Sequence, residues 1–299
     1  MKTFDEFNSF YSSGLLPELK KLEEERKALL PRLYFSIGCG IITGIIIFFL
    51  APYTGGLGFG IGVLLFFGVR YLIFSTPYNK YKTEFKQRVM KPLIEFIDPH
   101  LKYESTRSVS QNLFSESDIF RESITTYAGD DFVEGKTGKT AFSFSELNVI
   151  HGSGKSRSTI FSGIFFVADF NKNFKGKTVV LNRSFFGRKA DEVVKLENPD
   201  FEREYTVYSS DQVEARYILS PALMERIMKF RAESDTNVLL SFVNSSVFMA
   251  ISLPGNLFEP KLFSDAVDKT YIKSYFSYME LILGIVDDLN LNTRIWTKQ

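Results

Sequence analysis

The chain has 299 residues, with 36 basic and 35 acidic side chains and a formal net charge of +1. This near balance of charge gives no support to the binding of nucleic acid, and no nucleic-acid partner is predicted. One cysteine, Cys39, and two histidines, His100 and His151, cannot form an intrachain disulfide or a Cys/His zinc cage. No metal and no cofactor is therefore predicted.

Two apolar runs follow the charged residues 1–32. The first, 33–51, has no charged side chain, and the second, 57–75, has only Arg70. Nineteen residues of helix span about 28 Å, close to the thickness of the hydrocarbon core of a bilayer. The short APYTGG stretch between the runs must reverse the chain. The pattern predicts a two-helix transmembrane hairpin over 33–75, and the alternative is a pair of core helices in a soluble protein.

Small residues recur four positions apart within these runs. The pairs are Gly40 and Gly44, Gly56 and Gly60, and Gly58 and Gly62. This spacing lets transmembrane helices approach closely, whereas glycine is costly in a soluble helix. It favours the membrane interpretation, and it suits a homo-oligomer as well as a single hairpin.

Lysine and arginine flank the apolar runs unevenly. Residues 1–32 contain six of them and residues 76–91 contain five, but the connecting residues 51–56 contain none. The excess of basic residues on cytoplasmic loops predicts a multi-pass protein with both termini in the cytoplasm.

The segments on either side of the hairpin have helical spacing. One apolar stripe consists of Leu15, Leu19, Leu22, Leu29 and Leu33, and a second consists of Tyr78, Tyr81, Phe85 and Val89. This predicts a cytoplasmic helical segment over 1–32 and a membrane-proximal helix over 76–98. Because the spans are antiparallel, the two helices should lie side by side as a short stalk. Alternatively, each packs on the domain that follows.

Residues 99–299 are predicted to form a cytoplasmic α+β domain with a mainly antiparallel sheet. Strands are predicted at 122–127, 140–150, 158–170, 177–183, 203–208, 238–243 and 246–252, and helices near 107–119 and 220–233. A long C-terminal helix is predicted from a one-sided stripe: Phe263, Val267, Tyr271, Tyr275, Tyr278, Ile282, Ile285 and Leu289.

The stretch HGSGKSRS, residues 151–158, ends like a phosphate-binding P-loop. That motif requires a glycine five positions before Gly154, where this chain has Val149, and it should open a helix. Apolar strand-like residues flank the stretch on both sides. We therefore predict a β-hairpin tip in which Gly152 and Gly154 adopt positive φ.

Residues 136–189 are strongly basic. They contain ten basic and two acidic side chains, a local charge of +8. The predicted contacts with an anionic ligand or a membrane surface are Lys155, Arg157, Lys172, Lys175 and Lys177. The alternative is that these charges spread over several faces and merely keep the sheet soluble.

Three carboxylates, Asp169, Glu259 and Asp287, are candidates for an acid or base. Asp169 ends an apolar strand and, with Asn171, predicts a polar site, or else a carboxylate that caps a turn. Glu259 or Asp287 could also act as an acid or base, but neither histidine has an orienting partner visible in the sequence. No catalytic residue is predicted. Asp130 and Asp131 lack the spacing of a calcium loop and are interpreted as a turn.

Three segments are distinctive: FSGIFFVADFNKNFKGKTVVL (161–181), FEREYTVYSSDQVEARYILSPALMERI (201–227) and LNLNTRIW (289–296). Together with the hairpin, they resemble a family of bacterial two-pass inner-membrane proteins that is catalogued as a domain of unknown function. The resemblance implies a location in the bacterial inner membrane and brings no catalytic residues. Members are often encoded beside LemA-type membrane proteins, which implies a LemA-type partner.

Two functional hypotheses follow. The first is a membrane-anchored, non-enzymatic scaffold or adaptor that binds another protein through its cytoplasmic domain. The second is a domain tethered at the inner leaflet that binds an anionic lipid or another anionic ligand. In both, the lipid bilayer is the first partner.

Overall fold

The structure is a computed structural model that describes residues 2–169, 174–183, 192–234, 236–253 and 257–288. The chain divides into two compact units. A helical unit comprises Met1–Phe96 and Phe258–Ser274, and a sheet unit comprises Ile97–Leu257 and Tyr275–Gln299. The predicted domain over 99–299 thus contributes one segment, Phe258–Ser274, to the helical unit.

Over residues 2–97, the structure describes four α-helices in succession. They are α1 (Phe4–Phe10), α2 (Leu16–Arg70), α3 (Thr76–Phe85) and α4 (Lys91–Ile97), joined by single π-helical turns. Thr3 caps α1 and forms a capping box with Glu6, which satisfies backbone N–H groups at the helix start. Helical backbone therefore accounts for nearly all of this part of the chain.

The chain reverses direction within the range assigned to α2. A Cβ atom at Gly40 would meet the ring of Phe66, and one at Gly62 would lie 2.5 Å from Ile47. Residues 26 positions apart in one straight helix would be about 39 Å apart. The two apolar runs therefore lie side by side and antiparallel, as predicted.

Two helical stretches, Phe4–Phe49 and Phe59–Ile97, are long and apolar enough to cross a membrane. Only 11% and 6% of their most apolar windows are buried. Phe48 is 75% exposed and Leu64 is 74% exposed. The alternative of two core helices is therefore not what the structure shows, because the apolar side chains point outward.

The predicted stalk residues form the core of the helical unit. All five leucines of the first stripe are buried, and so are Tyr81, Phe85 and Val89 from the second stripe. Arg88 on the second helix reaches Glu25 on the first at 3.3 Å. The side-by-side arrangement of the two helices is confirmed.

The segment Phe258–Ser274 is held to the N-terminal helix by polar contacts. Arg26 donates to the carbonyl oxygen of Leu262 at 2.8 Å, and the backbone N–H of Ala266 donates to Glu23 at 2.9 Å. The Tyr11 hydroxyl donates to the carbonyl of Val267 at 2.7 Å. This segment makes the stalk a three-part assembly.

The described part of the sheet unit contains nine strands: β1 (Lys102–Glu104), β2 (Thr126–Thr137), β3 (Thr140–His151), β4 (Ser158–Asp169), β5 (Thr178–Asn182), β6 (Val193–Val194), β7 (Tyr205–Ser209), β8 (Val238–Val243) and β9 (Ser246–Ser252). Their order is β1-β2-β3-β4-β9-β8-β5-β7-β6, and every neighbouring pair is antiparallel. The predicted antiparallel sheet is confirmed.

Strand β4 is central, as its two apolar faces predict. It pairs with β3 on one side and β9 on the other, and Phe165 and Phe166 are both fully buried. Gly163 has φ +144°, and a Cβ there would meet the carbonyl oxygen of Ile251. Glycine is required at this point because β9 approaches so closely.

Helix α5 (Gln111–Glu116) packs beside the sheet and begins at an N-cap serine, Ser110. Its Phe114 ring lies 5.0 to 6.1 Å from the rings of Phe120, Phe161 and Phe165. Aromatic pairs at these distances add to the stability gained from burial. This aromatic cluster fixes α5 against β4.

The remaining helices are α6 (Pro199–Glu204), α7 (Gln212–Ile218), α8 (Pro221–Ser234) and α9 (Lys269–Asp288). Three predictions need correction. The strand predicted at 122–127 lies instead at Thr126–Thr137, and the Asp130–Asp131 pair is inside it rather than in a turn. The C-terminal helix begins at Lys269, so Phe263 and Val267 precede it, and Phe263 is exposed.

Candidate functional site

The GKS stretch is the tip of a hairpin between β3 and β4. Gly154–Ser156 form one 3-10 turn, and Gly152 and Gly154 have φ +74° and +56°. No helix follows, so backbone N–H groups do not converge on a phosphate. The hairpin prediction is confirmed. Lys155 and Arg157 project from the tip, and neither side chain is paired with another described residue.

Lys175 and Lys177 lie just before β5. The Lys177 ammonium pairs with Asp118 at 3.1 Å. Glu214 accepts the backbone N–H groups of Lys175 and Gly176 at 3.1 and 2.7 Å, which holds this loop in place. Two further predicted site residues, Lys172 and Asn171, lie outside the described residues.

The four predicted anion-binding residues that the structure describes lie in two pairs at opposite ends of the sheet. Lys155 and Arg157 precede the start of β4, whereas Asp169 ends it and pairs with Ser246 at the start of β9. Strand β8 pairs with both β9 and β5, so the start of β5 lies at this same end of the sheet, and Lys175 and Lys177 lie next to it. A strand of 12 residues is about 40 Å long. The two pairs therefore cannot contact one small anion, and their role at a membrane surface stays a prediction.

An open groove of about 700 Å³ lies at the Asp169 end of the sheet. Its apolar floor includes Leu113, Phe132 and Val167. Asp169 lies on its edge, so the predicted polar residue does border a cavity. Grooves of this size with an apolar floor and a few polar groups are typical of binding sites.

The rim of this groove carries basic side chains from three elements. Lys102 pairs with Glu134 at 3.3 Å. Arg107 pairs with Glu104 at 2.8 Å and covers the Phe132 ring at 4.1 Å. The side chain of Lys136 has no ion pair with another described residue. The groove therefore offers an apolar surface with one unneutralised cation at its rim.

Three carboxylates come together where β2 and β3 pair. The oxygens of Asp130, Asp131 and Glu146 lie within 4.8 Å of one another. Asp131 sits in a β-bulge with φ +55°, and the register places Asp130 opposite Glu146. Sequence reasoning missed this group because Glu146 is on another strand. Among the described residues, these carboxylates have the spacing to share a cation.

Protein donors already contact the acidic group. The Tyr103 hydroxyl donates to Asp131, and the backbone N–H of Leu257 donates to both oxygens of Glu146 at 3.0 and 2.9 Å. Burial and then the charge of Asp131 raise the pKa of Tyr103 above its usual value. Tyr103 therefore stays protonated and remains a donor.

The structure describes partners for two of the catalytic candidates, Glu259 and His151. Glu259 belongs to the helical unit and pairs with Lys82 at 2.8 Å. His151 Nδ1 lies 3.0 Å from the Ser123 hydroxyl, a pair the sequence did not reveal, and 2.8 Å from the Ser123 carbonyl. A carbonyl only accepts, so Nδ1 carries the proton and cannot activate that hydroxyl as a base. The pair has a structural role.

The fold thus defines a class of protein: an exposed apolar helix pair joined to an antiparallel sheet unit that carries a groove. Residues 159–291, from β4 into the C-terminal segment, match the model of a family described as Protein of unknown function (DUF3137). This match supports the part of the resemblance that concerns a domain of unknown function.

No curated protein sequence matches the chain. Among solved structures, the crystal structure of the mycobacterial trehalose monomycolate transport factor A, TtfA, is similar with 11% sequence identity and a TM-score of 0.34. The similarity covers 65% of this chain and 94% of that chain.

Proposed function

We propose that this protein is a membrane-anchored, non-enzymatic adaptor. Its apolar hairpin crosses the bacterial inner membrane with both termini in the cytoplasm, and its sheet unit binds another protein. One observation carries the proposal: the apolar side chains of two antiparallel helices face outward, in a chain whose separate sheet unit presents an open groove.

Membrane insertion is supported by the cost of the alternative. Soluble monomers rarely expose an apolar patch of more than a few hundred Å². Here most of the exposed large apolar side chains among the described residues lie between Tyr34 and Leu72, on the helix pair. The hydrocarbon core of a bilayer would cover this apolar surface. The basic residues at the same end of both runs determine which side of the membrane the termini face.

The adaptor role is supported by the groove. Its apolar floor and its free cation, Lys136, suit an amphipathic segment with an acidic side chain. A LemA-type membrane protein is the partner that we propose on the strength of the sequence resemblance. The groove contains no arrangement of nucleophile and base among its described lining residues, which favours binding over catalysis.

A photo-crosslinking amino acid at Ser143, inside the groove, tests the adaptor role in intact cells. We expect a discrete adduct with one membrane protein, and much less adduct from the same group at Ser123, which does not line the groove. Equal adduct yields from both positions, or no adduct, would contradict the proposal. Mass spectrometry of the adduct identifies the partner and shows whether it is LemA-like.

Insertion is tested separately by labelling single cysteines in a Cys39→Ala background. Ser9→Cys should react with an impermeant maleimide only after the membrane is opened, because the N-terminus is cytoplasmic. Reaction in intact spheroplasts would reverse the topology.

A homo-oligomer remains a second proposal for the hairpin. Gly40 and Gly62 are used within the hairpin, whereas Gly44 and Gly60 have no atoms within 4 Å of an added Cβ. If a second copy packs on these open positions, Gly44→Leu should abolish self-crosslinking and leave insertion unchanged. Unaltered self-crosslinking would exclude this surface.

An anionic ligand at the hairpin tip is the alternative function. It is favoured by Lys155 and Arg157, which are exposed and lack described partners. A fluorophore on Lys155→Cys should be quenched by headgroup-labelled anionic lipid and released by salt. Quenching that ignores lipid charge and salt would count against this role.

A further inference from the structure

A small cleft lies between the two helices directly below the apolar runs. Its volume is about 220 Å³. One wall is formed by Ala28, Leu29 and Arg32, and the other includes Pro77, Lys80 and Tyr81. Both walls belong to the helical unit, and Arg32 and Pro77 on these walls lie close in sequence to the ends of the two predicted spans.

Both carboxylates that line this cleft, Glu25 and Glu84, are bound to Arg88. Arg88 lies 2.9 Å from Glu84, 3.3 Å from Glu25 and 3.9 Å from Glu18. Glu25 precedes Arg32 by seven residues, which places it about 10 Å farther from the apolar run. The acidic groups are therefore neutralised at the end of the cleft far from the membrane.

Two cations remain at the near end, Arg32 and Lys80. Neither side chain has a hydrogen bond or ion pair with another residue in the described part of the chain. Lys80 has a carboxylate one helical turn away, but that residue, Glu84, is bound to Arg88. Arg32 has no acidic residue three or four positions away on its helix.

These two cations are at the depth of lipid phosphates. Arg32 immediately precedes the first apolar run, and Lys80 follows Ser75 by five residues, about 7 Å of helix. The headgroup layer on each side of a bilayer is roughly 5–8 Å thick. Basic clefts between helices at this level are suited to lipid headgroups.

We propose that Arg32 and Lys80 bind the phosphate of an anionic phospholipid, one lipid per hairpin. The two cations donate to the phosphate from opposite helices, and the guanidinium of Arg32 can make paired hydrogen bonds with two phosphate oxygens. The acyl chains lie along the exposed apolar surface above. This site rests on the proposed membrane insertion, and it is distinct from the hairpin tip of the sheet unit.

The test titrates the detergent-purified full chain with short-chain phosphatidylglycerol and counts bound lipids by native mass spectrometry. Phosphatidylcholine of the same chain length and free glycerol 3-phosphate are the comparison ligands. We expect one phosphatidylglycerol to bind preferentially. R32Q/K80Q should weaken it about thirtyfold, which corresponds to two cations at about 1 kcal/mol each.

Two matched variants give the controls. K20Q/K195Q removes the same charge from two exposed lysines outside the cleft that also lack described side-chain partners, and it should bind the lipid like the wild type. R32K/K80R keeps both charges and should retain most of the binding. Equal losses in both Gln variants, or full binding by R32Q/K80Q, would overturn the proposal. Competition by glycerol 3-phosphate at the same concentration as the lipid would show a site for free phosphate compounds instead.

Alkaline extraction of membranes separates this inference from the proposed function. If alkaline extraction releases the wild-type chain, the proposed membrane anchor is wrong, and the proposed lipid site is wrong with it. If the chain stays in the membrane but R32Q/K80Q binds lipid normally, the lipid site alone is wrong. Circular dichroism of each variant checks that the fold is retained, as expected for changes at exposed side chains.

Discussion

Replacing Arg26 by alanine should release Phe258–Ser274 from the N-terminal helix. Arg26 makes a two-pronged ion pair with Glu23 at 2.7 and 2.8 Å, and it also donates to the Leu262 carbonyl. Glu23 and Arg26 are only 6% and 8% exposed. Removing the arginine leaves a buried carboxylate whose remaining contacts are the Ala266 N–H at 2.9 Å and the exposed ammonium of Lys27 at 3.4 Å.

The expected loss can be estimated in two ways. Breaking a buried ion pair by removing one partner costs about 3–5 kcal/mol. Independently, hydrogen bonding to Arg26 lowers the pKa of Glu23 from 4.5 to about 2. A shift of this size corresponds to about 3 kcal/mol of stabilisation of the charged form. The Ala266 N–H and Lys27 also lower this pKa and remain in the variant, so the second figure is the most that the pKa shift assigns to Arg26. We therefore expect Arg26→Ala to lose about 3 kcal/mol, the low end of the first range.

The pH dependence follows from the direction of the shift. Because the pKa of Glu23 is lower in the folded state, its stabilisation is fully present above pH 4.5. It is lost as the pH falls toward about 2. In Arg26→Ala, this part of the acid sensitivity should be strongly reduced.

Hydrogen exchange measured by mass spectrometry on the detergent-solubilised chain reports the opening of this segment. Peptides from 258–274 should exchange faster in Arg26→Ala, by about two orders of magnitude. Lys27→Ala is the matched control, because Lys27 is exposed and only 3.4 Å from the same carboxylate, and it should cost less than about 1 kcal/mol. Unchanged exchange in Arg26→Ala would refute the reasoning.

Two further predictions concern the sheet unit. Gly163→Ala should lower the melting temperature strongly, because the added Cβ would meet the Ile251 carbonyl and the backbone has φ +144°. Gly154→Ala is the control, since Gly154 also has positive φ but lies in open space, and it should cost only about 1–2 kcal/mol. Equal losses of stability in the two variants would exclude the steric explanation. Phe114→Ala should lower the free energy of unfolding in denaturant by about 3–5 kcal/mol, because the ring is buried among aromatic side chains. Replacement of the neighbouring exposed residue, Ser115→Ala, should be nearly neutral. A loss of less than about 1 kcal/mol in Phe114→Ala would contradict the assigned core.

The elements with strong local patterns were predictable. The two apolar runs, the stalk stripes and the strands β3, β4, β8 and β9 lie where apolar periodicity placed them. Helix α7 begins after Asp211, whose side chain accepts from the N–H groups of Val213 and Glu214, as expected for an N-cap. Each of these signals is contained in a few consecutive residues.

The errors arose where a distant contact overrides local preference. Asp130 and Asp131 look like turn residues, but pairing with β3 and a β-bulge keep them in β2. Phe263 fits the helical stripe of α9, yet the backbone at Leu262 and Ala266 is bound by side chains more than 230 positions earlier in the chain. No local pattern contains that information.

The sequence by itself determined which segments are apolar enough for a membrane, which alternate as strands, and where lysine and arginine gather, because hydropathy and periodicity are local properties. Only the tertiary structure decided that β9 and β8 lie between β4 and β5. That order separates Lys155 and Arg157 from Lys175 and Lys177. Likewise, the engagement of Glu84 by Arg88 leaves Lys80 unpaired beside Arg32. Strand partners and ion pairs depend on contacts between distant residues, and only the folded chain shows them.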